Sequence, residues 1–119
     1  MRNGKFFGIA AAAILAINAA EAALERIEEA YEVGLTGVTL PNYEGGQVSF
    51  SPCASCERVS LRVDPGTRYL LGNGNEGVTL KTFRESAAAI ENPGDSIVYV
   101  MFDTNSLVVT RLILDAGGQ

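Results

Sequence analysis

Pro52-Cys53-Ala54-Ser55-Cys56 is the densest run of reactive side chains in this sequence. Two cysteines with two residues between them support several chemistries. Oxidised, they form a structural disulfide that closes a tight loop before the strand beginning near Arg58. Closing so short a loop removes little entropy from the unfolded chain, so the bond stabilises less than a long-loop staple. Reduced and activated, they form a thiol-exchange pair. That chemistry wants a thiolate of lowered pKa, commonly supplied by a helix amino terminus after a strand. Here Glu57 follows Cys56 and raises a thiol pKa, with Arg58 offsetting it in part. As thiolates, the pair would ligate metal. A closed zinc site wants four ligands, and the chain supplies two Cys and no His, so zinc needs two copies, whereas Cu(I) accepts two thiolates. A pair left free or bridged between chains is the remaining case. Glu57 in place of His excludes c-type haem attachment.

Other candidates are weaker. Gly72-x-Gly74-x-x-Gly77 matches a dinucleotide fingerprint by letter, but the fingerprint requires a helix opening after the glycines. Val78 to Phe83 reads as strand, so the run reads as a turn. Asn73, Asn75 and Glu76 lack the spacing of a calcium loop. Glu44, Asp64, Asp95 and Asp103 fall in turn segments, where turn bonding explains them. Without His, no Ser-His-Asp arrangement exists. Tyr43, Tyr69, Tyr99 and the phenylalanines read as core or half-core side chains. No residue is assigned a catalytic role, and no cofactor or resident metal is implied.

The elements that position Cys53 and Cys56 are mostly strands. Val59, Leu61 and Val63 alternate with Arg58, Ser60 and Arg62, giving one apolar and one polar face. Asp64-Pro65-Gly66 is a turn, Tyr69–Leu71 a short strand, and Val78–Thr82 the next strand. Glu85–Ile90 reads as one or two helical turns, ended by Asn92-Pro93-Gly94-Asp95. Ile97–Phe102 and Leu107–Leu114 are the most apolar strands, joined by a hairpin turn at Asp103-Thr104-Asn105-Ser106. Both faces of that hairpin are largely apolar, so it is expected to be central or covered on both sides. Leu35–Leu40 and Gln47–Phe50 are further, weaker strand candidates. Upstream, Leu24, Ile27 and Tyr31 recur at helical spacing with Glu25, Glu28, Glu29 and Glu32 around them, which predicts a short amphipathic helix within 23–34 stopped by Gly34.

The first 22 residues have the layout of a cleavable signal helix. Arg2 and Lys5 precede an uncharged run from Phe6 to Ile17, and Ala20-Glu21-Ala22 offers small residues before a cleavage point. The run is about 12 residues long, short of the roughly 18–20 that span a bilayer core. No later apolar stretch reaches spanning length. The expected organisation is a signal peptide at 1–22, the helix at 23–34 and a β-rich domain at 35–119. Losing Arg2, Lys5 and Glu21 moves the net charge from −5 to −6. That acidity argues against nucleic acid as partner.

Together these features predict a mainly β protein: a small antiparallel sandwich or barrel of six to seven short strands with one or two short helices. A parallel βαβ arrangement needs crossover helices of a length this chain lacks. The expected protein is exported to a bacterial periplasm or secreted, where disulfides persist. The expected function is a non-catalytic binding or envelope-associated module with a structural Cys53–Cys56 disulfide, whose partner is a protein or envelope component. The alternative is thiol exchange or copper handling through Cys53 and Cys56. A homo-oligomer through a sheet edge or the amphipathic helix is a third expectation.

Overall fold

The computed structural model describes residues 27–72, 74 and 76–117. The predicted signal helix at 1–22 and the start of the predicted amphipathic helix lie outside the described residues. Within them the protein is mainly β, with two sheets and one α-helix. The larger sheet has four strands in the order β1 (Glu28–Gly34), β6 (Ile97–Asp103), β7 (Val109–Asp115) and β5 (Arg68–Leu71). The smaller has three antiparallel strands, β2 (Val38–Thr39), β3 (Gln47–Phe50) and β4 (Val59–Arg62). The helix α1 spans Leu80–Ala88, and short 3-10 turns occupy Leu35–Gly37 and Pro93–Asp95. The described sheets do not close into a barrel.

The central hairpin forms where its pattern predicts. β6 and β7 pair antiparallel as the two inner strands, with one register shift at Met101/Phe102. Asp103 shapes the turn by accepting the Asn105 and Ser106 amides at 2.7 and 3.2 Å. On the inward face Val98, Val100, Phe102, Val109, Leu112 and Leu114 are all buried. β3 adds Val48 and Phe50 and β4 adds Leu61, so the two sheets share one core. Phe50 reaches across to Tyr31 with ring centroids 5.0 Å apart, and Tyr31 stacks on Phe102 at 5.5 Å. Each such fully buried large side chain contributes about 1.5–3 kcal/mol.

Three expectations are corrected. First, Glu28–Gly34 is strand β1, not the second half of a helix. It pairs residue for residue with β6, from Glu28 opposite Asp103 to Gly34 opposite Ile97. An isolated helix of this length is marginal in water, whereas β6 supplies a full ladder and a core for Tyr31 and Val33 at period two. Ile27, part of the helical stripe, is left 52% exposed. Second, Val78–Thr82 is not a strand. Only Val78 bridges Tyr69, and α1 begins at Leu80. Thr79 caps the helix by accepting the Thr82 amide at 3.1 Å. Leu80, Phe83, Ala87 and Ile90 then fall on one stripe, with Leu80 and Phe83 buried and Phe83 against Tyr69 at 5.5 Å. Third, the larger sheet is not purely antiparallel, because β5 pairs parallel with β7. The chain between them carries α1 and β6, a connection long enough to reverse direction twice. Of the weaker strand candidates, Gln47–Phe50 is β3, whereas Leu35–Leu40 divides into a 3-10 turn and the two-residue β2.

Candidate functional site

Cys53 and Cys56 are joined by a disulfide, with Cα atoms 5.0 Å apart, in the loop between β3 and β4. The loop turns on itself through the Cys56 amide and the Cys53 carbonyl at 3.2 Å. Every residue from Ser51 to Arg58 is exposed, and no helix follows the pair. The Arg58 guanidinium is engaged elsewhere: it donates to Thr39 Oγ1 at 2.8 Å and to the Ser49 carbonyl at 3.4 Å. Those two bonds go to neutral acceptors, so they fix where the guanidinium sits and leave its charge in place.

The remaining sequence candidates disperse. After the glycine run a helix does open, contrary to the strand expected there, yet the dinucleotide geometry is not reproduced. The Gly74 amide bonds the Leu71 carbonyl, and the Val78 amide bonds the Tyr69 carbonyl at 2.8 Å. The loop folds back on β5 before Thr79 caps α1, so the last glycine precedes the helix instead of lying within its first turn. Asp64 closes its turn by accepting the Gly66 amide at 2.9 Å. Among the described residues no cluster of three or more His, Cys, Asp or Glu is placed to hold a metal ion. Nor is any described helix long and apolar enough to cross a membrane. Glu28, expected on a helix face, lies on β1 and pairs with Arg111 at 2.8 Å. Tyr69 is buried, Tyr99 half-buried, and Tyr43 65% exposed.

The most coherent surface is one the sequence signalled only as the second apolar side of the hairpin. On the outer face of the four-stranded sheet, Ala30, Tyr99, Met101 and Ile113 line a cavity of about 330 Å³, with Gly72 and Asp115 at its margin. Ile113 lies opposite Tyr99, Met101 lies opposite Ala30, and Glu32 stands opposite Tyr99 on the edge strand. No second layer covers this face among the described residues, so Tyr99, Met101 and Ile113 remain half-buried. The rim is acidic at one end, through Glu32 and Asp115, and closed at the other by the Glu28–Arg111 pair. Arg111 and the Thr110 hydroxyl, both bonded to the Glu28 carboxylate, hold its pKa below the ordinary 4.5.

A larger cleft of about 410 Å³ lies between the Asn42–Glu44 loop and the start of α1, where Lys81 and Arg84 are balanced by Glu44 and Glu85. Arg84 is committed to structure there, donating to the Pro41 carbonyl at 2.7 Å and holding the loop against the helix.

The chain has no significant match among protein-family models, curated proteins or solved structures.

Proposed function

We propose that this protein is a small exported binding module whose ligand surface is the outer face of the four-stranded sheet. The observation that carries the reading is the cavity between Tyr99, Met101 and Ile113, an apolar floor left open on an otherwise well-packed sheet. Its volume, about 330 Å³, falls within the range of sites that hold small apolar groups. The Cys53–Cys56 disulfide serves as a local staple for the β3–β4 loop. The layout of residues 1–22 and the disulfide both support export to an oxidising compartment.

Two measurements test the reading. The neutral apolar dye N-phenyl-1-naphthylamine is expected to fluoresce on binding the protein, and Met101→Lys to abolish the signal while leaving the thermal melt cooperative. An unchanged signal in that variant rejects the face as the ligand surface. Mass analysis of the protein from a periplasmic fraction is expected to show an amino terminus at Ala23; an intact Met1 there rejects cleavage.

A second reading is favoured by the exposure of Cys53 and Cys56, which leaves the disulfide open to attack. In that reading the loop exchanges thiols with envelope proteins or, when reduced, carries copper. A reduction potential above about −230 mV supports exchange, and one below about −300 mV supports the staple.

A further inference from the structure

The inference rests on the binding-module reading and concerns the strand that borders the cavity. β1 is the outer strand of its sheet, and one of its edges has no partner among the described residues. The hydrogen-bond phase of that edge follows from the two ends of the ladder. The Thr104 amide donates to the Ile27 carbonyl at 3.0 Å, and the Leu35 amide donates to the Ser96 carbonyl at 2.9 Å. In an antiparallel pair the bonded positions recur every second residue. The backbone groups of Ile27, Glu29, Tyr31, Val33 and Leu35 therefore face β6. Those of Glu28, Ala30, Glu32 and Gly34 face outward, presenting unpaired amides and carbonyls beside the cavity.

The side chains on this edge define what would pair with it. Glu29 and Glu32 are exposed and make no ion pair among the described residues. Ala30, between them, is small and opens onto Met101 and the cavity floor. An added strand would meet carboxylates next to an apolar slot, in a protein of net charge −5. A second copy of the same strand fits poorly, because it brings three further glutamates and no basic residue to an edge that is already acidic.

We infer that the free edge of β1 is a strand-addition site for an extended segment of another polypeptide that sets an apolar side chain opposite Ala30 and basic side chains opposite Glu29 and Glu32. Main-chain bonds to Ala30 and Glu32 supply the register. On the cavity face an apolar side chain beside Ala30 enters the cavity and a basic one two residues away neutralises Glu32; on the other face a basic side chain neutralises Glu29.

The test is fluorescence anisotropy with the purified protein and a labelled, end-blocked peptide, Thr-Val-Lys-Thr-Leu-Lys-Thr, which when added antiparallel sets Leu opposite Ala30 and its two Lys opposite Glu32 and Glu29. Saturable binding is expected. Methylating alternate backbone nitrogens of the peptide, in the phase that faces β1, is expected to weaken it about tenfold or more, the equivalent of one or two lost hydrogen bonds. Ala30→Pro removes an outward-facing amide at a position where an edge strand tolerates proline, and is expected to weaken binding to a similar degree. Glu32→Lys is expected to weaken it several-fold and flatten its dependence on salt. If Ala30→Pro fails to fold, the methylated peptide carries the test alone. No binding of the parent peptide, or equal binding of its methylated form, overturns the inference. If Met101→Lys weakens binding while the methylated peptide binds as well as its parent, strand addition falls and the face reading stands; if Met101→Lys also changes nothing, both fall. Self-association by light scattering that Ala30→Pro abolishes would make a second copy the occupant and overturn the inference.

Discussion

Arg58, at the start of β4, reaches across β3 to donate to Thr39 Oγ1 of β2 at 2.8 Å. One guanidinium thereby ties the two outer strands of the smaller sheet together, immediately beside the Cys53–Cys56 loop. The β3 carbonyl of Ser49 accepts from the same group, and the Ser49 and Ser60 hydroxyls bond at 2.8 Å on the same face. The smaller sheet is thus held by polar bonds on its open side and by Val48, Phe50 and Leu61 on the other.

Because those bonds do not involve sulfur, the disulfide is expected to be a modest stabiliser. Loop-closure entropy for so short a ring corresponds to about 2 kcal/mol at most. Replacing both Cys53 and Cys56 with serine should lower the urea-derived stability by that amount or less and leave the domain folded. Arg58→Ala should lower it by about 1 kcal/mol on its own. A double cysteine variant that fails to fold would show that the loop nucleates the smaller sheet.

Tyr69 Oη is buried and has no hydrogen-bond partner among the described residues. A lone buried hydroxyl is unfavourable by about 1–3 kcal/mol, so Tyr69→Phe should raise the melting temperature. Burial, with Glu44 and Asp64 adding repulsion, pushes the phenol pKa above its ordinary 10.0. The unfolded chain ionises this group at a lower pH than the folded one does. The parent's stability from this source is complete below pH 10.0 and declines as pH rises beyond it. The advantage of Tyr69→Phe should therefore widen in denaturant titrations at alkaline pH, and a constant difference would contradict the assignment.

Glu28 joins β1 to β7 through Arg111 and Thr110. Its lowered pKa has the opposite sign of linkage. The stabilisation is present above the ordinary value of 4.5 and is lost as pH falls through the lower folded value. Glu28→Gln should be destabilising by about 0.2–1 kcal/mol near neutral pH, since the pair is partly exposed. That difference should shrink below pH 4.5, which melts across an acid series would show.

Leu107 sits in the β6–β7 turn with φ of 60°, a left-handed conformation that branched apolar side chains resist. It is also 54% exposed, so its side chain contributes little to the core. Leu107→Gly should stabilise the protein by roughly 1 kcal/mol, the strain of a left-handed L-residue. A loss of stability would mean that the exposed leucine packs on a surface the isolated chain forms for itself.

The elements legible in the sequence were those whose information is local. β4 shows its two faces in four consecutive residues, and the β6–β7 hairpin carries both strands and its own turn chemistry in Asp103. Asp64-Pro65-Gly66 is equally self-contained. The Cys53–Cys56 disulfide was one of the several chemistries the spacing left open, and the structure forms it. Where two periodicities competed over a short span, local pattern chose wrongly. Leu24, Ile27 and Tyr31 suggest a helix, and Tyr31 and Val33 suggest a strand; the exposed edge of β6 decided between them. At Val78–Phe83 the alternation masked the stripe Leu80, Phe83, Ala87 and Ile90, which Thr79 initiates.

By itself, then, the sequence determined the β-rich character, the central hairpin and the acidic balance, because each depends on composition or on neighbours a few residues apart. The tertiary structure alone decided that β5 runs parallel to β7 and that, among the described residues, β1 has a free edge and no layer covers Met101 and Ile113 on one apolar face of the hairpin. Those features depend on which distant segments pack together, and an apolar residue reads the same in the sequence whether a second layer covers it or leaves it open to a partner.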